Sequence, residues 1–454
     1  MPENRNSVSN ALNNAPLSLF HFRAVVTAGM GFFTDAYDLF IIGAALVLIK
    51  QIWHSSSWAV AWIGSSALIA AFIGAFVFGR LADMFGRKKI YGLEALLMVI
   101  GSLLSAVSPN MIWLLFARFI MGIGIGGDYP VSAVLMSEYA NTRDRGKLVS
   151  LVFSMQALGL VAGPIVALTL VASGLNPAWS WRIMLGLGAV PALAVISLRR
   201  KLPESPRYLA EVQPRANKRV RHLRSVNDPS TETAETGFWQ FITNPRYLRL
   251  LLGTAGSWFL FDYAYYGNSI SLPWVLKLLA PGASTLMAMA WSLIIFSTAA
   301  VPGYILSFVM IDRIGHKKLQ MLGFSMMALA FVSMGLIPRL TTFVVPFLSL
   351  FGISYFFSEF GPNTTTFVLA AELYPTHMRT TGHGVSAGVA KIGAFVGVFV
   401  FPLLTRFLGI SGTILLTGIF SLGGLLLTTI LPEPTGRSLE ELSDPHLMRK
   451  SGEP

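Results

Sequence analysis

The chain has 454 residues; 54% belong to the set AVILMFWYC and only 12% are charged, against about 25% charged in a soluble globular protein. That composition excludes a disordered chain and a coiled coil, and the lack of cysteine removes any disulfide framework, thiolate metal site or cysteine nucleophile. The net charge of +12 does not point to nucleic acid, because Lys and Arg sit in short breaks between apolar runs and form no basic face; the chain reads as a multi-span membrane protein embedded in a lipid bilayer.

Residues 1–21 form a polar tail without the basic start and small-residue cleavage site of a signal peptide. Twelve apolar stretches follow: 22–50, 58–82, 88–108, 111–135, 147–173, 180–200, 247–279, 285–311, 317–338, 342–370, 380–408 and 411–431. Each is near or above the roughly 20 residues a helix needs to cross the hydrocarbon. Open sheet edges do not survive in lipid, so these are helices. The fold predicted is all-α, with six spans in 22–200 and six in 247–431. Between them, 201–246 reads as a mobile linker, basic around Arg215, Lys218, Arg219, Arg221 and Arg224, and 432–454 is a second tail.

Charge sets the expected orientation. With both termini inside, the inner segments hold 27 of the 34 Lys and Arg. The outer turns hold Lys50, Arg182, Lys277, Arg339 and Arg406, and Arg118 and Lys391 fall within spans. That asymmetry predicts cytoplasmic termini; the location expected is the plasma membrane, the inner membrane in a bacterium.

The two halves repeat. Asp83-Met84-Phe85-Gly86-Arg87-Lys88-Lys89 corresponds to Asp312-Arg313-Ile314-Gly315-His316-Lys317-Lys318, and Pro203-Glu204 to Pro432-Glu433, both at an offset of 229. Glu138 and Arg145 correspond to Glu372 and Arg379 at an offset of 234. Two parallel six-helix repeats imply a cavity between them near the midplane, and rocking of the halves as the working motion.

These signatures resemble the major facilitator superfamily. Gly79 to Lys89 is similar to its G-x-x-x-D-R-x-G-R-K loop, with Met84 in place of the usual Arg, and Pro203 to Leu209 and Pro432 to Arg437 resemble marks of its sugar-porter-like branch. The resemblance covers nearly the whole chain and implies twelve transmembrane helices in two pseudo-symmetric six-helix bundles.

Charges near a bilayer centre are expensive, so ionisable residues inside spans are functional candidates. Six acids fall in or near spans, namely Asp35, Asp38, Glu94, Asp128, Asp262 and Glu359, opposed only by Arg118 and Lys391. Some should be neutral part of the time, as proton coupling requires; structural pairing is the alternative for any one of them. Asp35 and Asp38, three apart on one helix face, are placed to share a proton, although Asp38 equally suits a structural cap or pair. Gly122, Gly124 and Gly127 spell G-x-G-x-x-G, but inside an apolar span the glycines serve close helix packing and no dinucleotide.

The longer string Gly126 to Glu138, G-G-D-Y-P-V-S-A-V-L-M-S-E, resembles the signature of the phosphate:proton symporter family. Arg118, upstream on the same helix, is expected to approach Asp128 and hold it charged. Trp258, Asp262 and Tyr266 recur every four residues in the seventh span and form one stripe. Aromatics at that spacing are often plain core, but an Asp between them is not. By the resemblance, Tyr129, Gln156, Trp258, Asp262, Tyr266 and Asn363 would surround inorganic phosphate, with Lys391 supplying positive charge or pairing with an acid. Asp35, Asp38, Asp128, Asp262 and Glu359 would carry protons, with Arg118 as charge partner and protons as the only coupling agent, no cofactor being needed. Glu359 departs from the pattern, standing where fungal members have a neutral amide; the linker is also shorter than theirs. The function expected is proton-coupled phosphate import by a monomer. The alternative is the same fold carrying an organic anion, a phosphodiester or a sugar, although sugar carriers need no central Lys. A sensor would need a signalling module that 201–246 lacks, and an enzyme is not expected, because the seven His are scattered.

Overall fold

The computed structural model describes residues 9–212, 238–280, 282–341 and 343–443. Its first six membrane-length helices are α1 (Leu19–Ile52), α2 (Ser57–Phe85), α3 (Arg87–Ala106), α4 (Met111–Tyr139), α5 (Arg145–Ala172) and α6 (Pro177–Arg199). After the linker come α7 (Pro245–Leu279), α8 (Leu286–Ile314), α9 (His316–Leu336) and α10 (Val344–Glu372). The helix Arg379–Thr429 breaks at Gly409, where φ is 69° and ψ 177°, a left-handed conformation that favours glycine. Its arms, α11 (379–408) and α12 (410–429), run in opposite directions: Gly393 and Gly397 back onto Phe259 and Tyr263 of α7, while Leu427 and Leu431 return to Gly256 and Gly253. The described residues thus form twelve membrane-length helices, six before and six after the linker, within a few residues of the predicted limits.

The described flanks of the linker and the described parts of both tails gather at one end of the bundle, the linker end. Of the expected linker, 213–237 lies outside the described residues, but its flanks form short helices, Pro206–Glu211 and Phe238–Thr243. The tails also dock. Arg207 donates to Asn13 (2.6 Å) and pairs with Glu440 (3.0 Å), the latter on the helix Leu439–Ser443.

The repeat in sequence is a repeat in space. Gly86 and Gly315 have φ of 101° and 102°, turning the chain into α3 and α9. Glu204 accepts from the backbone N–H of Arg87 and Lys88 (3.2 and 3.1 Å), and Glu433 from those of His316 and Lys317 (2.9 and 3.1 Å). Each conserved-offset glutamate therefore satisfies orphan donors at a positive helix terminus.

A second symmetric set joins the halves at the linker end. Asp83 of α2 accepts from Thr381 N and Oγ1 at the start of α11 (2.6 and 2.7 Å), and Asp312 of α8 accepts from Lys147 N at the start of α5 (2.7 Å). Glu138 takes Arg87 from its own half and Arg379 from the other (both 3.2 Å). Glu372 takes His316 from its own half (3.1 Å) and Arg145 from the other (2.9 Å). This clasp holds the linker end shut.

The glycines of α4 act as expected for close packing: a Cβ on Gly122 would overlap the carbonyl of Ala67 on α2, and one on Gly124 that of Glu94 on α3. Backbones in that contact exclude side chains and gain dispersion along the whole crossing.

Candidate functional site

Midway between the clasp and the far end, side chains from α4, α5, α7, α8, α10 and α11 converge between the halves. Lys391 of α11 pairs with Asp262 of α7 at 2.9 Å and donates to the Tyr266 hydroxyl at 3.2 Å. Its ammonium lies 4.4 Å from the Tyr129 ring centroid and 4.5 Å from that of Tyr266, so one carboxylate and two aromatic faces compensate the buried cation. Gln156 donates to the Tyr129 hydroxyl (3.1 Å) and accepts from the Tyr304 hydroxyl (3.0 Å). Asn363 donates to Tyr304 (2.8 Å) and to Glu359. Trp258 adjoins Asp262 one turn nearer the linker end. All seven expected substrate-site residues thus lie in one cluster, none more than 3% exposed.

Local breaks aim these groups. Gln156 opens the second segment of α5 after an irregularity at Met155. In α10, Gly361 (φ −114°, ψ −107°) and Pro362 interrupt the helix between Glu359 and Asn363. Tyr304 follows a π-helical turn at Phe296–Ala300 in α8, a type of insertion common at functional sites. Aromatic layers close the cluster on both sides. Phe40 meets Tyr265, Tyr266 and Phe296 on the far side (centroids 5.8–6.0 Å). Phe32 and Phe153 meet Phe367 on the linker side (5.1 and 4.5 Å). The cluster is sealed from both ends.

The first half holds a separate charged centre, where three sequence expectations need correction. Arg118 does not reach Asp128. Its guanidinium donates to the Asp38 backbone carbonyl at 3.1 Å, because it projects toward α1 two turns and more from Asp128. The partner of Asp128 is Arg199 of α6 at 2.7 Å, which also pairs with Glu94 of α3 at 2.7 Å. Arg199 stacks on Tyr91 at 4.4 Å, and Ser132 donates to Asp128 at 2.6 Å. Arg199 is therefore a third buried cation, not a flanking charge at the span's end. Nor do Asp35 and Asp38 share a hydrogen bond. Both Asp35 oxygens lack a partner, and Asp38 takes one contact from Ser102 at 3.4 Å. Asp35 lies within electrostatic range of Asp128, Arg199 and Lys391, between the two centres.

Tyr304 and Arg199 were missed from sequence. Tyr304 is one polar residue in an apolar run, and nothing in spacing reveals the π-turn that aims it. Arg199 had a signal: Ala189, Ala192 and Val195 lead to it at helical spacing, and all four are buried. Among the described residues, no three or more His, Asp or Glu cluster as a metal site.

Comparison with known proteins bears on this geometry. The family model described as "Sugar (and other) transporter" matches residues 24–237 and 264–444. The chain is 37% identical to a probable inorganic phosphate transporter 1-6 of Arabidopsis thaliana, over 97% of each chain. It is 36% identical to inorganic phosphate transporter 1-6 of Oryza sativa subsp. japonica, over 96% of this chain and 95% of that protein. Among solved structures it resembles the major facilitator superfamily proton:xylose symporter XylE bound to 6-bromo-6-deoxy-D-glucose, with a TM-score of 0.77 at 22% identity, over 93% of this chain and 98% of that one. The chain is a transporter rather than an enzyme, and it belongs to the sugar (and other) transporter family of the major facilitator superfamily, in the branch that holds the inorganic phosphate transporters.

Proposed function

We propose that the protein imports inorganic phosphate with protons by alternating access, as a monomer in the plasma membrane (the inner membrane in a bacterium) with both termini cytoplasmic. The observation that carries this reading is the sealed cluster around Lys391 and Asp262, which combines a buried cation, a buried acid and neutral donors. The names of the full-length relatives support phosphate as the substrate.

With Asp262 ionised, its carboxylate occupies the Lys391 ammonium and repels an anion. Protonation releases Lys391 and turns the acid into an O–H donor. Phosphate then meets one cation, the hydroxyls of Tyr129 and Tyr266, the amides of Gln156 and Asn363 and the Trp258 indole. Binding thereby favours the protonated acid, and that differential affinity is the coupling. Asp35, Asp38, Asp128 and Glu359 are further proton carriers. Asp35, without a hydrogen-bond partner, links the Arg199 centre to the phosphate site. Proton and phosphate enter from the far end, the clasp opens, and deprotonation in the more alkaline cytoplasm drives release. Protons serve as the coupling ion, and no bound cofactor takes part.

The test is uptake of labelled orthophosphate into proteoliposomes under an imposed pH difference, with arsenate, sulfate, carboxylates and hexoses as competitors. Accumulation above equilibrium, blocked by arsenate and indifferent to hexose, is expected. Equal levels on both sides despite the gradient would refute the coupling, and displacement by hexose would favour the sugar alternative.

A further inference from the structure

The phosphate reading leaves one donor unaccounted for, and counting hydrogens identifies it. A side-chain amide has two N–H bonds. Lys391 has three, of which Asp262 and Tyr266 take two. Gln156 spends one of its pair on Tyr129. Asn363 spends both, on the Tyr304 hydroxyl and on Glu359 Oε2. In this state Asn363 has nothing left to donate to an anion.

We propose that Glu359, acting with Tyr304, is a protonation latch on the phosphate site: its carboxylate withholds the Asn363 amide from phosphate, and its protonation releases that amide. This rests on the phosphate reading and adds a residue and a step to it. An ionised carboxylate is the stronger of the two acceptors facing Asn363, because charge-assisted hydrogen bonds are roughly twice as strong as neutral ones. A protonated carboxyl is itself a donor, so it turns to the amide oxygen or to phosphate and lets the N–H go. Tyr304 keeps the amide near the site meanwhile, since its hydroxyl accepts from Asn363 and donates to Gln156, tying α8 to both halves.

No cation acts on Glu359 among the described residues. The titratable groups facing Glu359 are tyrosines: Tyr265 of α7, Tyr304 of α8 and Tyr355 of its own helix. Among the described residues no Lys, Arg or His pairs with it, and its Oε1 has no partner. Gly303 lets α8 pack so close to α10 that a Cβ there would lie 2.9 Å from the Glu359 Cβ. Glu359 is thus fixed beside Asn363, with its proton as the free variable.

The experiment is binding of labelled orthophosphate to the purified full-length chain at pH 5.5 to 8.5, for the unaltered protein, Glu359→Gln and Tyr304→Phe. The ionisation of phosphate itself is common to all three and cancels in the comparison. Glu359→Gln should still bind but lose up to one proton of linkage, so that the change in Kd per pH unit is flattened by up to about tenfold over the range where Glu359 titrates. Tyr304→Phe frees only the N–H that the hydroxyl holds and leaves the other on Glu359, so its Kd should keep the pH slope of the unaltered protein. An unchanged pH slope in Glu359→Gln, or a flattened slope in Tyr304→Phe, would overturn the latch. Should Glu359→Gln not fold, Tyr304→Phe decides alone. Failure of the unaltered chain to bind phosphate at any pH would instead sink the substrate reading, and the latch with it.

Discussion

The Lys391–Asp262 pair makes the sharpest demand on the proposed mechanism. At 2.9 Å and an effective dielectric near 20, two unit charges attract by about 6 kcal/mol. An anion must compete with that attraction to draw the ammonium to itself, and a proton on Asp262 removes the competitor. Asp262→Asn makes the removal permanent while leaving an amide oxygen for the ammonium. Phosphate binding at pH 8 should therefore tighten by about tenfold, within the usual range of coupling energies of 1–3 kcal/mol, and should lose part of its pH dependence. Gradient-driven accumulation should fall by the share of the proton that Asp262 carries, while exchange of labelled for unlabelled phosphate persists, because exchange needs binding and rocking but no net proton release. The assay is paired uptake and counterflow in the same vesicles, with thermal unfolding as a control for the weakened buried pair. Full proton-driven accumulation in Asp262→Asn, or weaker binding at pH 8 in a folded protein, would refute the reasoning.

Three other predictions test separate parts. Glu372→Gln removes the acid that holds Arg145 across the halves, and breaking such a buried pair costs about 3–5 kcal/mol; in this chain without cysteines, a Ser150→Cys reporter on α5 should then be alkylated faster, and an unchanged rate would mean that Glu372 does not hold the linker end. Arg199→Met should impair folded yield and uptake far more than Arg118→Met and should be partly rescued by adding Glu94→Gln; the reverse ranking would contradict the pairings. For the docked tail, burial pushes the Glu440 carboxyl up, but Arg207 outweighs it and holds the group at about 2, below its ordinary 4.5. A depressed acid stabilises the folded form above its unfolded value, so docking should be complete above about pH 4.5 and weaken as pH falls toward 2; hydrogen exchange in 439–443 should rise over that window, and a flat profile would exclude the pair as the anchor.

The spans, the repeat and the ring of candidate ligands were legible because each leaves a local mark: a run of apolar residues, a signature at fixed offset, a polar side chain where lipid would forbid one. The polar partners were not. Arg199 stands beside Arg200 and Lys201, and although the buried phase of Ala189, Ala192 and Val195 points to it, its pairing with Glu94 and Asp128 on other helices has no mark in the sequence. Arg118 and Asp128 share a helix, yet their side chains leave it toward different neighbours, Arg118 toward α1 and Asp128 toward α6. Tyr304 depends on a π-turn with no sequence mark. Pairing in a bundle is decided by helix rotation and crossing, which a one-dimensional pattern specifies only loosely.

Charge counting carries the argument to stoichiometry. Between the clasp and the far end, six buried acids (Asp35, Asp38, Glu94, Asp128, Asp262, Glu359) face three buried cations (Arg118, Arg199, Lys391). With every acid ionised, the excess negative charge would repel phosphate, and each unpaired buried charge costs several kcal/mol. Protons must arrive before the anion does, and among the described residues three of these acids, Asp35, Asp38 and Glu359, have no carboxylate ion pair. If Asp262 and Glu359 both load and unload in each cycle, a phosphate monoanion crosses with at least two protons and at least one net positive charge. Each net charge couples to voltage by about 2.3 kcal/mol per 100 mV, which is about fifty-fold in accumulation. Glu359→Gln should therefore lower the proton-to-phosphate ratio by one and the voltage dependence by that fifty-fold factor. Reversal potentials in proteoliposomes measure the ratio directly. A ratio unchanged in a transporting Glu359→Gln protein would mean that Glu359 keeps one protonation state throughout the cycle, leaving Asp262 and the Arg199 centre to account for all the coupled protons.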